Sequence, residues 1–156
     1  MKGLSLFSNV GIAETYLHEV GVDIVVANEL LAERARFYQD VYPACEMICG
    51  DITNGGVFKK VVDAAVKNNV KFIIATPPCQ GMSTAGQQAD DDERNKLICY
   101  VLDVVKKIKP KYVFIENVPL FLNTYIDIKE EKILIPDLIK RELGSEYYIN
   151  TYIIDT

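Results

Sequence analysis

Short apolar runs recur along the chain at Leu4 to Phe7, Ile24 to Ala27, Phe72 to Ala75 and Tyr112 to Ile115, each bounded by turn-forming residues. Runs of this kind predict strands of a parallel sheet, buried on both faces. Between them the period changes. Leu97, Ile98, Val101, Leu102, Val104, Val105 and Ile108 recur at helical spacing, which lays one apolar face against a sheet. Leu30 to Asp40 predicts a second helix, and Gly55 to Lys67, behind the capping residues Thr53 and Asn54, a third. Glu46 to Cys49 reads as a weaker strand. A last helix is expected over Glu131 to Leu143, ended by Gly144, before a closing strand around Tyr148 to Ile154. Strand and helix alternate throughout, so the expected fold is an open α/β sheet of Rossmann type. No internal repeat or interdomain linker interrupts it.

Composition narrows this picture. A chain of 156 residues with 49% hydrophobic residues is one domain or part of one, with apolar mass enough for a packed core, and a disordered reading fails. No apolar run approaches the roughly 18 residues a membrane span needs. Ser5, Ser8, Asn9 and Glu14 interrupt the start where a signal peptide is continuously apolar, so a cytoplasmic protein of prokaryotic type is expected, without membrane contact. With 17 basic and 22 acidic residues the net charge is -5, so this stretch lacks the basic face that grips nucleic-acid phosphates. The four cysteines, Cys45, Cys49, Cys79 and Cys99, predict reduced thiols rather than a disulfide framework. His18 is the one histidine, expected on a helix surface, and zinc would need two ligands beyond Cys45 and Cys49, so no metal is expected. Cys99 fits a small core residue.

In open α/β sheets the ligand sits outside the carboxyl ends of the strands, where strand order reverses. The strand-end segments are Ser8 to Gly11, Asn28 to Leu30, Gly50 to Ile52, Thr76 to Gly81 and Glu116 to Pro119. Any one of them is explained by the ordinary preference of turns for polar residues. Five in register are harder to dismiss.

An acidic residue after the second strand, Glu29, is placed to accept both hydroxyls of a ribose. Asp51, after the third, is placed to accept from an adenine amino group. The first turn carries Gly11 but no G-x-G-x-x-G, so a pyrophosphate is poorly served. These features disfavour NAD and favour S-adenosylmethionine, which carries no phosphate. On the chemical side, Pro77-Pro78 delivers Cys79 stiffly to a flexible loop, where a nucleophile belongs. A buried structural thiol is the competing account. Glu116 ends the run Tyr112 to Ile115 and is a candidate proton donor.

TPPCQG, ENVP, GDI, the ANEL segment and the opening LFSNVGIAE, in this order and spacing, resemble the first half of a DNA (cytosine-5) methyltransferase. Asp92 to Leu97, and Lys109-Pro110-Lys111 leading into the ENV strand, extend the resemblance from Lys2 to Asp155. It implies that Cys79 attacks C6 of a flipped cytosine while Glu116 engages N3 and the exocyclic amino group, that C5 takes the methyl group, and that S-adenosylhomocysteine is the product. It further implies that Phe7 and the Ser8, Asn9 and Gly11 backbone lie along the methionine part, Glu29 on the ribose, Leu30 and Ile52 on the adenine faces, and Asp51 on the adenine amino group. Pro78 and Leu97 would close the pocket. Gln80 to Lys96 resembles the mobile loop that closes over the base.

Two departures from the family stand out. Asn9 occupies a position where the family usually has glycine; asparagine tolerates positive φ better than most residues, so the turn is expected to survive. The family's later arginine motif, target-recognition region and returning segment have no counterpart, and Arg141 is the one arginine after Glu116. Residues 1–156 are therefore expected to form a partial catalytic and cofactor-binding domain, truncated before its last strand. It would act on double-stranded DNA, in a restriction-modification setting, through a recognition region carried by a second subunit or C-terminal half. Surface left uncovered by an interrupted fold also predicts self-association into a homo-oligomer. The competing readings are a non-catalytic S-adenosylmethionine- or partner-binding module and a tRNA cytosine-5 methyltransferase. Amino-methylating enzymes on the same fold carry an aromatic residue after Pro-Pro, where this chain has Cys79.

Overall fold

A computed structural model describes residues 1–78, 96–128 and 131–154. The chain divides into two compact units, Met1–Pro77 with Asp103–Glu116, and Pro78–Leu102 with Asn117–Thr156. The first holds a five-stranded sheet built from β1 (Lys2–Leu6), β2 (Asp23–Glu29), β3 (Glu46–Cys49), β4 (Phe72–Ala75) and β5 (Tyr112–Ile115). Every pairing is parallel and the strand order is β3-β2-β1-β4-β5. The chain winds outward from β1 through β2 to β3, then returns to β4 on the other side of β1. The order therefore reverses between β1 and β4, the open-sheet position at which ligands bind.

Three of the apolar runs become the buried centre of this sheet, with Leu4, Leu6, Val26, Ala27, Ile73, Ile74 and Ala75 all buried. The fourth, Tyr112 to Ile115, is not buried on both faces as expected: β5 ends the strand order, and Tyr112 and Phe114 are 50% and 49% exposed. Burial of each large aliphatic side chain is worth about 1.5–3 kcal/mol. The helices α1 (Ala32–Val41) and α2 (Gly55–Lys67) both pack on β2 and β3. Helix α2 begins where the sequence predicts because the Asn54 side chain accepts from the Gly56 and Val57 N–H groups, and it buries Val61, Ala64 and Ala65. Helix α3 (Leu97–Ile108) buries Ile98, Val101, Leu102, Val104 and Val105, while Cys99 is half-buried. His18 is exposed on a short 3-10 turn, Leu17–Val20. Among the described residues no helix is long and apolar enough to cross a membrane.

The second unit departs from expectation. The predicted helix over Glu131 to Leu143 begins four residues late: Glu131–Leu134 forms β7, which pairs antiparallel with β6 (Tyr125–Ile128), and α4 covers Ile135–Leu143. Pro136 explains the boundary, since proline fits a helix's first turn and disrupts its interior. Gly144 ends α4 as expected, although in a right-handed conformation. The closing strand around Tyr148 to Ile154 does not form: residues 147–154 have no regular structure, and Tyr148, Tyr152, Ile153 and Ile154 are exposed. Strand-forming residues without a pairing partner do not make a strand.

Candidate cofactor and catalytic site

Beyond Leu6 the backbone of the first unit enters the left-handed region twice, at Phe7 (φ 59°) and Asn9 (φ 51°), and again at Gly11 (φ 85°). For a bulky residue such as Phe7 this costs about 1–3 kcal/mol, and it persists only where the surroundings over-determine it. They do so here. The Thr76 hydroxyl donates to the Phe7 carbonyl at 3.0 Å, across the point of strand reversal. Ser8, buried, donates its N–H to the Asn28 carbonyl at 3.0 Å, and its hydroxyl reaches the same oxygen at 3.3 Å. Asn9 donates its N–H to Glu29 Oε2 at 2.9 Å. The asparagine thus takes the conformation a glycine would supply. Gly11 is favoured for a second reason: a Cβ there would clash with the Tyr42 ring, whose hydroxyl donates to the Gly11 carbonyl at 2.8 Å.

Glu29 ends β2 at 5% exposure, and its other oxygen, Oε1, accepts the Leu31 N–H at 2.9 Å. Two backbone donors thus fix the carboxylate's plane. A carboxylate has about four lone-pair sites, so capacity remains for hydroxyl donors. Asp51 is exposed, and its Oδ1 accepts the Thr53 N–H at 2.8 Å. Leu30 is 59% exposed whereas Ile52 is 3% exposed, so of this pair Leu30 offers the open apolar surface.

Beneath the turn lies a polar group that the hydrophobic pattern does not reveal. Glu14 is buried and accepts a hydrogen bond from the buried Ser5 hydroxyl, with the Tyr38 phenol beside it; among the described residues neither Glu14 Oε2 nor the Tyr38 hydroxyl has a partner at full hydrogen-bond geometry. Burial raises the pKa of the Glu14 carboxyl, against the lowering effect of Ser5. Burial foremost, then the neighbouring Glu14 and Cys45, pushes the Tyr38 phenol up. Desolvation also pushes the Cys45 thiol up to about 11, which suits a structural cysteine in the Ala27–Tyr38–Cys45 core. The signal for this cluster was a serine inside the apolar run of β1.

At the other strand ends the Thr76 N–H donates to the Leu6 carbonyl at 3.2 Å, and Pro77 is buried. Cys79 lies outside the described residues, as do residues 80–95. Glu116 donates its N–H to the Ala75 carbonyl at 3.0 Å, and its side chain is exposed. Pro78 and Leu97, both half-buried, belong to the second unit. There, too, Arg141 pairs with Glu131 at 2.8 Å on an exposed face. Among the described residues no group of three metal-ligating side chains comes together.

A strained first turn, a buried carboxylate at the end of β2 and an exposed acidic residue after β3 thus stand at the carboxyl ends of the strands. The model of the C-5 cytosine-specific DNA methylases matches residues 1–152. The chain belongs to this family. The chain is 48% identical to the Type II methyltransferase M1.HgaI of Avibacterium volantium over 160 residues, covering 99% of this chain and 45% of that protein. M.XorII of Xanthomonas oryzae is 30% identical over 118 residues, 74% of this chain and 28% of its own length. The chain therefore spans less than half the length of either of these relatives. In three dimensions it superposes on a prophage-encoded DNA modification methyltransferase of E. coli with a TM-score of 0.72 at 23% identity, covering 95% of this chain and 39% of that one. That likeness establishes the shared fold. Methyltransferases of this family use S-adenosylmethionine.

Proposed function

We propose that this chain is the cofactor-binding and nucleophile-bearing half of a bacterial DNA cytosine-5 methyltransferase, acting in the cytoplasm with a DNA-recognition portion outside these 156 residues. The family match across residues 1–152 carries the reading. The Type II names of the relatives favour DNA over tRNA and an enzyme over a binding module.

The residues present fit S-adenosylmethionine. Glu29, held by two N–H donors, receives the ribose hydroxyls. Asp51, through the oxygen not engaged by Thr53, receives the adenine amino group, with Leu30 and Ile52 beside the ring. Phe7, Ser8, Asn9 and Gly11 carry the backbone against the methionine part. When bound, the cofactor supplies an electrophilic methyl group. The chain's own residues must make cytosine reactive toward it, because C5 is a poor nucleophile until a thiolate adds at C6. Cys79 makes that bond. Glu116, exposed and with no side-chain hydrogen bond among the described residues, is available to hold N3 and the amino group of a base turned out of the duplex. Loss of the C5 proton then expels Cys79.

The test incubates the chain, together with the remainder of its methyltransferase, with S-adenosylmethionine and a duplex carrying 5-fluorocytosine. A covalent adduct on Cys79, absent in Cys79→Ala, is expected. Methylation of ordinary cytosine that persists in Cys79→Ala overturns the nucleophile assignment.

A further inference from the structure

Asn28 stands one residue before Glu29, 2% exposed, and bonds to both neighbouring strand ends. Its carbonyl receives the Ser8 N–H at 3.0 Å, and thereby holds the turn after β1. Its side-chain amide donates to the Ile48 carbonyl at 2.8 Å and to the Gly50 carbonyl at 3.0 Å. Both amide hydrogens are thus spent on the end of β3 and on the residue before Asp51.

The position makes those two bonds consequential. The β2–β3 ladder ends at the pair Glu29 and Cys49. Past it, Gly50 turns aside at φ 148°, where a Cβ would meet Val57 at 2.8 Å. One backbone bond, from the Gly50 N–H to the Glu29 carbonyl at 2.9 Å, continues the pairing. The Asn28 amide supplies what the ladder no longer does.

We propose that Asn28 is a positioning residue for the cofactor site: through Ile48 and Gly50 it sets where Asp51 stands relative to Glu29 and the Ser8 turn. The inference rests on the cofactor reading above. Asn28 acts on the ligand only through Asp51 and its loop. Its effect is directional, because the Ser8 bond uses the Asn28 main chain and survives any side-chain change, whereas the Gly50 bond does not. Asn28→Asp keeps the shape but replaces the donating Nδ2 with a carboxylate oxygen that cannot donate to the Ile48 and Gly50 carbonyls, and so frees the loop.

In the complete methyltransferase, Asn28→Asp is expected to raise the KM for S-adenosylmethionine about tenfold while kcat at saturating cofactor stays within about twofold. Asp51→Ala is expected to cost a similar factor. The double variant should lose little more than either alone, because the carboxylate is already displaced in Asn28→Asp. Multiplying losses, or a fall in kcat at unchanged KM, overturn the proposal in favour of a merely structural asparagine. A gentler variant, Asn28→Ser, is followed without cofactor by amide hydrogen exchange. Faster exchange at Gly50, Thr53 and Asn54 with Ser8 and Gly11 unchanged supports the proposal, and uniform acceleration overturns it. Wild-type enzyme that fails to bind S-adenosylmethionine sinks the cofactor reading instead, and the exchange pattern still decides whether Asn28 holds the loop.

Discussion

The carboxyl edge of one sheet presents two unlike halves. At the ends of β1 and β2 the polar groups are buried and engaged: Ser8, Asn28 and Glu29 are 4%, 2% and 5% exposed, each in a hydrogen bond to a neighbouring strand end. After β5, Glu116 is exposed and its one bond within the sheet is the backbone link to Ala75. Under the proposed function the difference separates holding from reacting. A carboxylate that binds a cofactor benefits from being fixed in advance, because the ordering cost is met on folding rather than on binding. A carboxylate that must meet a base arriving from outside has to keep its lone pairs available until then.

Four substitutions probe this division. The largest effect is expected at the reactive half: Glu116→Gln should lower kcat for methyl transfer by about 10²–10⁴ while calorimetry finds cofactor affinity unchanged. Equal losses in both would erase the distinction. Glu29→Ala should do the converse, weakening S-adenosylmethionine binding about 10- to 100-fold by removing charged hydrogen bonds, and unchanged affinity would refute the ribose role. Gly11→Ala combines a left-handed φ with a clash against Tyr42, and denaturant titration should report about 1–3 kcal/mol of lost stability.

The smallest effect concerns the support under the turn. The folded pKa of Glu14 lies above its unfolded value of 4.5, so the folded state holds this proton more tightly than the unfolded chain does. Its contribution is favourable below that unfolded value and is lost as pH rises through the elevated one. Glu14→Gln keeps an acceptor for Ser5 and carries no titrating charge. Unfolding free energies measured from pH 4 upward should therefore fall less steeply in the variant than in wild type; parallel curves would show that Glu14 does not titrate on unfolding.

Much of the fold was legible because the deciding interactions are local. Helix α2 starts and stops where Asn54 and the apolar spacing put it, and β3, β4 and β5 coincide with their apolar runs. The hairpin of β6 and β7 was not legible, because Glu131 to Leu134 continues the helical spacing of the residues after it and its partner strand is only four residues long. Pro136 was the available clue. Of the site, Glu29 and Asp51 stand at strand ends as their spacing implies, whereas the burial of Asn28 and Glu14 was not legible, because nothing beside them in the chain marks it.

The amino-acid sequence by itself determined the alternation of strands and helices, the motifs that carry the family resemblance and the choice of residues at each strand end. Only the tertiary structure decided what those residues do to one another. Parallel pairing brings together groups twenty or so positions apart, Asn9 with Glu29 and Asn28 with Ile48 and Gly50. Whether an asparagine becomes a brace or a carboxyl group is buried depends on which strand lies beside it. That adjacency is a property of the assembled sheet, since no local pattern of apolar and polar positions specifies it.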